Sequence, residues 1–211
     1  MKYVSLSMLA ALATALAGCV TPESRYETIH EAATEGSTHD VAALLDGGQS
    51  VNERSEYGMT PLHCAAAWGT EDIMAYLIRN GADVNATNDW GLTPLHIAAA
   101  RCHDHDVKFL LSHGANVDAR SSADWTPLHY AASRGNAMVA ATLLDAGANA
   151  NLQNKSGDTA LHRAAHNASE DVVRLLIERG ADTSIQNNAG DTPAATAQKE
   201  GHANIAAIFA P

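Results

Sequence analysis

Positive charge is scarce in this chain. Its 211 residues carry 13 Lys and Arg against 24 Asp and Glu, a formal net charge of −11. A surface of that sign disfavours nucleic acid and anionic lipid head groups and suits a basic protein partner. Catalytic signatures are missing too: there is no Gly-rich phosphate loop, no nucleophile elbow and no H-E-x-x-H. Carboxylates are many, but none forms a defensible acid–base pair. The reading is therefore of a non-enzymatic chain with no catalytic residue, no bound metal and no cofactor. Long apolar runs are also absent. The most apolar stretch, from Val4 to Ala17, is too short to span a bilayer comfortably.

What is present is repetition. Thr60-Pro61-Leu62-His63-Cys64-Ala65 returns 33 residues later as Thr93-Pro94-Leu95-His96-Ile97-Ala98, and after the same step as Thr126-Pro127-Leu128-His129-Tyr130-Ala131. Thr159-Ala160-Leu161-His162-Arg163-Ala164 follows in register, then the worn copy Thr192-Pro193-Ala194-Ala195-Thr196-Ala197. One step back from residue 60, Glu27-Thr28-Ile29-His30-Glu31-Ala32 keeps only the Ile, His and Ala. A fixed period of this length signals stacked modules.

Each copy has a mechanical meaning. Thr is a good helix N-cap, and Pro suits the first helical residue, where no N–H is needed. A second apolar run follows, such as Leu110-Leu111 or Leu143-Leu144. It ends at Gly48, Gly81, Gly114, Gly147 or Gly180, again at the same interval. Glycine just past a helix end accepts the left-handed conformation that stops helices. The predicted unit is helix, tight turn, helix, glycine stop, then a polar extended stretch such as Ala82-Asp83-Val84-Asn85.

These residues resemble the ankyrin repeat, in the T-P-L-H-x-A signature, the G-A-D-V-N stretch and the period. The resemblance implies an all-α solenoid of about six repeats: paired antiparallel helices stacked side by side, with β-hairpin fingers projecting near a right angle. On this reading residues 1–18 are a leader, 19–26 a tether and 27–211 the repeat domain. The repeats run 27–59, 60–92, 93–125, 126–158, 159–191 and 192–211. The first, with Glu27, Glu31, Glu35 and Asp40, and the last, with Ala194 and Ala195, are expected as caps whose outer faces meet water.

The leader has a positive start at Lys2 and ends Leu16-Ala17-Gly18-Cys19, which resembles the lipobox of bacterial lipoproteins. That resemblance implies a lipidated Cys19 at the mature N-terminus, anchored in a membrane by its acyl chains. Val20 after the cysteine favours the outer membrane, facing the periplasm. Val20–Arg25 is a tether reaching roughly 20 Å when extended.

Repeat 3 is the irregular one. Cys102 holds a turn position occupied elsewhere by Gly36, Gly69, Gly135, Gly201 and Ala168, and Asp106 stands where other repeats have Ile73, Val139 and Val172. The run Arg101-Cys102-His103-Asp104-His105-Asp106 raises a metal or redox role for Cys102, His103 and His105. However, histidines two apart diverge on a helix and converge only in a loop. Cys64 and Cys102 lie one repeat layer apart, beyond the roughly 7 Å disulfide limit. They are expected as a small core residue and a turn thiol. The column His30, His63, His96, His129 and His162 is expected to tie turns to neighbours by hydrogen bonds. Asp124 replaces the finger glycine of Gly58, Gly91, Gly157 and Gly190, which predicts a differently shaped finger before repeat 4.

The resemblance places the freely varying positions on the finger tips and the exposed face of each first helix, which line the concave surface. All three tryptophans of the chain fall there. Trp, Tyr and Arg dominate binding hot spots. Tyr57, Met59, Trp68, Trp90, Leu92, Arg101, Trp125 and Arg134 are therefore the candidate partner-binding residues, with the polar repeat 5 as rim. The expected function is a monomeric envelope lipoprotein whose preordered concave surface binds a periplasmic or secreted protein. An inhibitor or immunity role against a toxin or cell-wall enzyme is favoured, and an assembly scaffold is the alternative.

Overall fold

The computed structural model describes residues 25–210, in which twelve helices and no strand are found. First helices are α1 (Ile29–Glu35), α3 (Pro61–Trp68), α5 (Pro94–Arg101), α7 (Pro127–Ser133), α9 (Ala160–His166) and α11 (Pro193–Lys199). Second helices are α2 (Thr38–Asp46), α4 (Glu71–Arg79), α6 (Asp104–Ser112), α8 (Ala137–Asp145), α10 (Glu170–Glu178) and α12 (Ala203–Ile208). Each first helix packs on its own second helix and on the first helices either side. No described helix is long and apolar enough to cross a membrane.

The threonines act as the sequence predicts. Thr60, Thr93, Thr126, Thr159 and Thr192 are N-caps in extended conformation, and prolines fill the first helical position after four of them. Repeat 1 starts differently. Its cap is Thr28, one place later, in a capping box with Glu31, and His30 is left to bond the carbonyls of Glu53 and Met59.

Small side chains set the curvature. Ala32-Ala33, Ala65-Ala66, Ala98-Ala99, Ala131-Ala132 and Ala164-Ala165 are fully buried. They let the first helices approach closely, whereas second helices meet through Ile73, Leu77, Val107, Leu110, Leu143 and Leu176 and lie further apart. A row spaced tightly on one side and loosely on the other bends toward the tight side. The hollow therefore lies on the first-helix side. The core is a continuous strip through all repeats, as a solenoid requires.

The fingers correct one expectation. They are tight turns rather than β-hairpins with strand arms. In the finger of residues 88–92 the Asn88 N–H donates to the Leu92 carbonyl at 3.0 Å, and the Asn88 side chain accepts from the N–H groups of Trp90 and Leu92. Neighbouring fingers share a single backbone bond, such as Ser122 N–H to the Trp90 carbonyl at 2.8 Å. That is too little pairing for a ladder. A second correction concerns Asp124. It takes the left-handed φ of 58° that the finger glycines take, and donates its N–H to the Ser121 carbonyl at 2.8 Å. The finger before repeat 4 thus keeps the common shape, since Asp tolerates that conformation better than most residues.

The hexapeptide histidines join the layers. In repeats 2 to 5 the Thr backbone N–H donates to His Nδ1 at 3.0–3.2 Å. Nδ1 is therefore the unprotonated nitrogen, and Nε2–H donates to a carbonyl of the next finger: Leu92, Trp125, Asp158 or Asp191, at 2.8–3.0 Å. Burial lowers the pKa of His63, His96 and His129 to about 4, against 6.5 for the free side chain. All three are neutral at pH 7, as the bonding requires.

Repeat 3 breaks the apolar pattern at its second helix. Asp106 is buried, with Oδ2 3.1 Å from Nδ1 of His103, and desolvation pushes its pKa up. Ile73, Val139 and Val172 hold the equivalent place in other repeats.

The unfolded chain protonates its histidines near pH 6.5, while the folded chain resists until about pH 4. Stability is fully present above pH 6.5 and is lost as pH falls toward 4, by roughly 3 kcal/mol for each of the three histidines. Thermal melts followed by circular dichroism across that window will show the melting temperature fall, and His96→Gln will lessen the slope. Separately, the double change His103→Leu/Asp106→Val is expected to stabilise by about 1 kcal/mol, because it replaces a desolvated pair by apolar side chains, whereas Asp106→Val alone leaves His103 without its partner and should not. Urea titration checks it.

Candidate binding surface

The first-helix side of the stack collects the aromatic and arginine side chains. Tyr57 and Trp90 sit on adjacent fingers with ring centroids 5.7 Å apart and planes 23° from parallel. Trp68 ends α3, and the Arg101 guanidinium at the end of α5 lies over its ring at 5.4 Å. Tyr57, Trp68 and Trp90 are 56%, 59% and 53% exposed. Aromatic rings left this open by a well-packed fold mark contact surfaces. Each ring is already stacked, so its rotamer freedom is reduced before any partner arrives.

The remaining candidates divide. Arg134 is exposed and caps the C-terminus of α7. Met59 and Leu92 are half-buried. Their carbonyls accept from His30 and His63, and Met59 Sδ accepts from Asn88 Nδ2 at 3.2 Å. Both residues hold fingers in place as well as lining the surface. Trp125 departs most from a freely projecting finger side chain. It is half-buried, 5.0 Å from the Tyr130 ring and 5.8 Å from His129, with the Arg163 guanidinium over it at 5.0 Å. The cause is local: repeats 4 and 5 put Tyr130 and Arg163 where repeats 2 and 3 have Cys64 and Ile97. These larger side chains fold over the indole. Arg163 is held in turn by Asp158 at 3.6 Å.

Tyr130 and Arg163 were the residues sequence reasoning missed. They occupy the variable position inside the hexapeptide itself, which the pattern treats as framework. The signal was available in the swap from small or aliphatic side chains to Tyr and Arg.

The Cys102, His103 and His105 run does not converge. Cys102 is exposed at the end of α5 with φ 65°, His103 precedes α6 and faces Asp106, and His105 is exposed on α6. Among the described residues no three His, Cys, Asp or Glu side chains are grouped as metal ligands. Cys64 and Cys102 are free thiols; Cys64 is half-buried against the core, where burial raises its pKa. Cys19, the expected lipid site, lies outside the described residues.

An all-helical stack with an open, aromatic, preordered face defines a protein–protein interaction module. The family profile for Ankyrin repeats (3 copies) matches residues 6–88, 80–154 and 139–210, and the chain belongs to that family. Members of the family are typically non-enzymatic protein-binding scaffolds. Comparison with curated proteins gives no match.

The surface separates the three indoles by role. Trp125→Ala is expected to cost about 2 kcal/mol, as a packed ring is lost. Trp68→Ala and Trp90→Ala are each expected to stay within about 0.5 kcal/mol of the parent. Urea titration measures all three, and acrylamide should quench Trp68 and Trp90 more strongly than Trp125.

Proposed function

We propose that the chain is a lipid-anchored protein of the bacterial envelope that binds a periplasmic or secreted protein through its first-helix face. The anchor reading rests on Leu16-Ala17-Gly18-Cys19 after an apolar stretch with a positive start. Lipid on Cys19 would hold the repeats close to the outer membrane, on its periplasmic side. The favoured mode is inhibition: a stiff surface docks over a toxin or cell-wall enzyme and blocks it, as an immunity protein does. The observation that carries the reading is the open row Tyr57, Trp68 and Trp90, braced by stacking and by Arg101. A rigid hollow loses little entropy on docking, which suits tight one-to-one capture.

Two experiments test its halves. Membrane fractionation of cells making the wild-type chain or Cys19→Ser should find the former with the outer membrane and the latter released. Equal partition would end the anchor assignment. Affinity capture from periplasm with wild type and with the Trp68→Ala/Trp90→Ala double variant should recover a protein that the variant loses. Undiminished capture by the variant would reject the site. A captured enzyme that stays active when bound would favour an assembly scaffold over an inhibitor.

A further inference from the structure

Acidic residues outnumber basic ones almost two to one, so a cation is expected to find a carboxylate nearby. Arg54, Lys108, Arg163, Arg174, Arg179 and Lys199 each do. Arg25, Arg79, Arg101, Arg120, Arg134 and Lys155 have no ion pair among the described residues, and of these only Arg101 and Arg134 end first helices. Both are exposed, one repeat apart, at the C-terminal ends of α5 and α7. A helix C-terminus favours a cation weakly. Trp68 and Asn167 hold the same place on α3 and α9, so helix ends alone do not account for the pair. Along this row the order is Glu35, Trp68, Arg101, Arg134, Asn167, Glu200. Two open guanidiniums sit between carboxylates at the ends, beside an indole that orients one of them.

Resting on the protein-binding reading above, we infer that the occupant of the hollow is an acidic, extended segment of the partner protein. It carries two carboxylates for Arg101 and Arg134, with an apolar side chain for the Trp68 and Trp90 rings. The Arg101 guanidinium lies 5.4 Å from the Trp68 ring centre, and a guanidinium without a carboxylate partner can make a forked bond to one. Packed helices lie about 8–10 Å apart, a distance that about three residues of extended chain cover. The partner's carboxylates are therefore about three residues apart. The net charge of the whole chain pointed to a basic partner, but at physiological salt charges beyond about 8 Å are screened. The local row decides what docks. The fingers before repeats 2, 3 and 4 carry Glu56, Asp89 and Asp124; Asp89 is already occupied by Arg54 at 3.2 Å, and Asp124 is half-buried.

The test selects a displayed library of random peptides on the full chain. Selected peptides are then resynthesised with each Glu or Asp replaced by Gln or Asn. The expected result is enrichment of acidic peptides with an apolar residue between or beside the carboxylates. Affinity should fall about fivefold or more in the amide versions, in line with two partly exposed ion pairs. The same loss is expected with Arg101→Gln/Arg134→Gln, but not with Arg79→Gln on the second-helix side. Selection of neutral or basic peptides, no selection at all, or indifference to the arginine double variant would each overturn the inference. If peptides depend on Trp68 and Trp90 but not on their own charge, the acidic assignment fails while the protein-binding reading stands. If binding depends on none of these side chains, both fail.

Discussion

One hydrogen-bonded relay holds the architecture: a threonine N–H to histidine Nδ1, and histidine Nε2–H to the carbonyl of the next finger. It appears in four successive repeats with nearly constant distances. The relay begins a helix, fixes the tautomer of a buried imidazole, and clamps the following layer in one step. Buried polar groups are costly unless fully bonded. Here both ring nitrogens are bonded, so the imidazole specifies register between layers that alanine packing alone would leave free to slide.

The rest follows from what the relay leaves open. Paired alanines bring first helices together, bulkier aliphatic residues keep second helices apart, and the stack bends. Fingers held by the carbonyls at Leu92 and Trp125 then present their tips along the inside of the bend. Side chains there have no duty to the core, and this chain fills them with Tyr57, Trp68, Trp90, Arg101 and Arg134. The function is thus carried by positions the framework does not need.

Most of the framework was legible in the sequence because it is periodic. Caps, glycine stops and the histidine column each recur at one spacing, and local chemistry at those positions has one solution. Expectation and structure part where a repeat departs from its neighbours. Asp124 in place of a glycine predicts an altered finger, yet Asp enters the left-handed region readily enough to copy glycine. The position of Trp125 in its repeat predicts a free finger residue, and the structure half-buries it. Its burial depends on Tyr130 and Arg163, five and thirty-eight residues further on, and a positional rule applied to one residue cannot see them. The strand arms expected of the fingers were carried in with the family, and two-residue arms sharing one bond per neighbour do not form them.

A relay that joins the layers must be cooperative. The Thr93 hydroxyl also lies 2.9 Å from Nδ1 of His96, so a double-mutant cycle of Thr93→Val, which removes that hydroxyl, and His96→Leu, followed by urea titration, measures the coupling. The predicted coupling between the two sites is about 1 kcal/mol or more, as expected for residues sharing one buried network. Single changes should also lower hydrogen-exchange protection in the finger carrying Trp125. Strict additivity, with exchange in that finger unchanged, would mean that the layers are held by apolar packing alone.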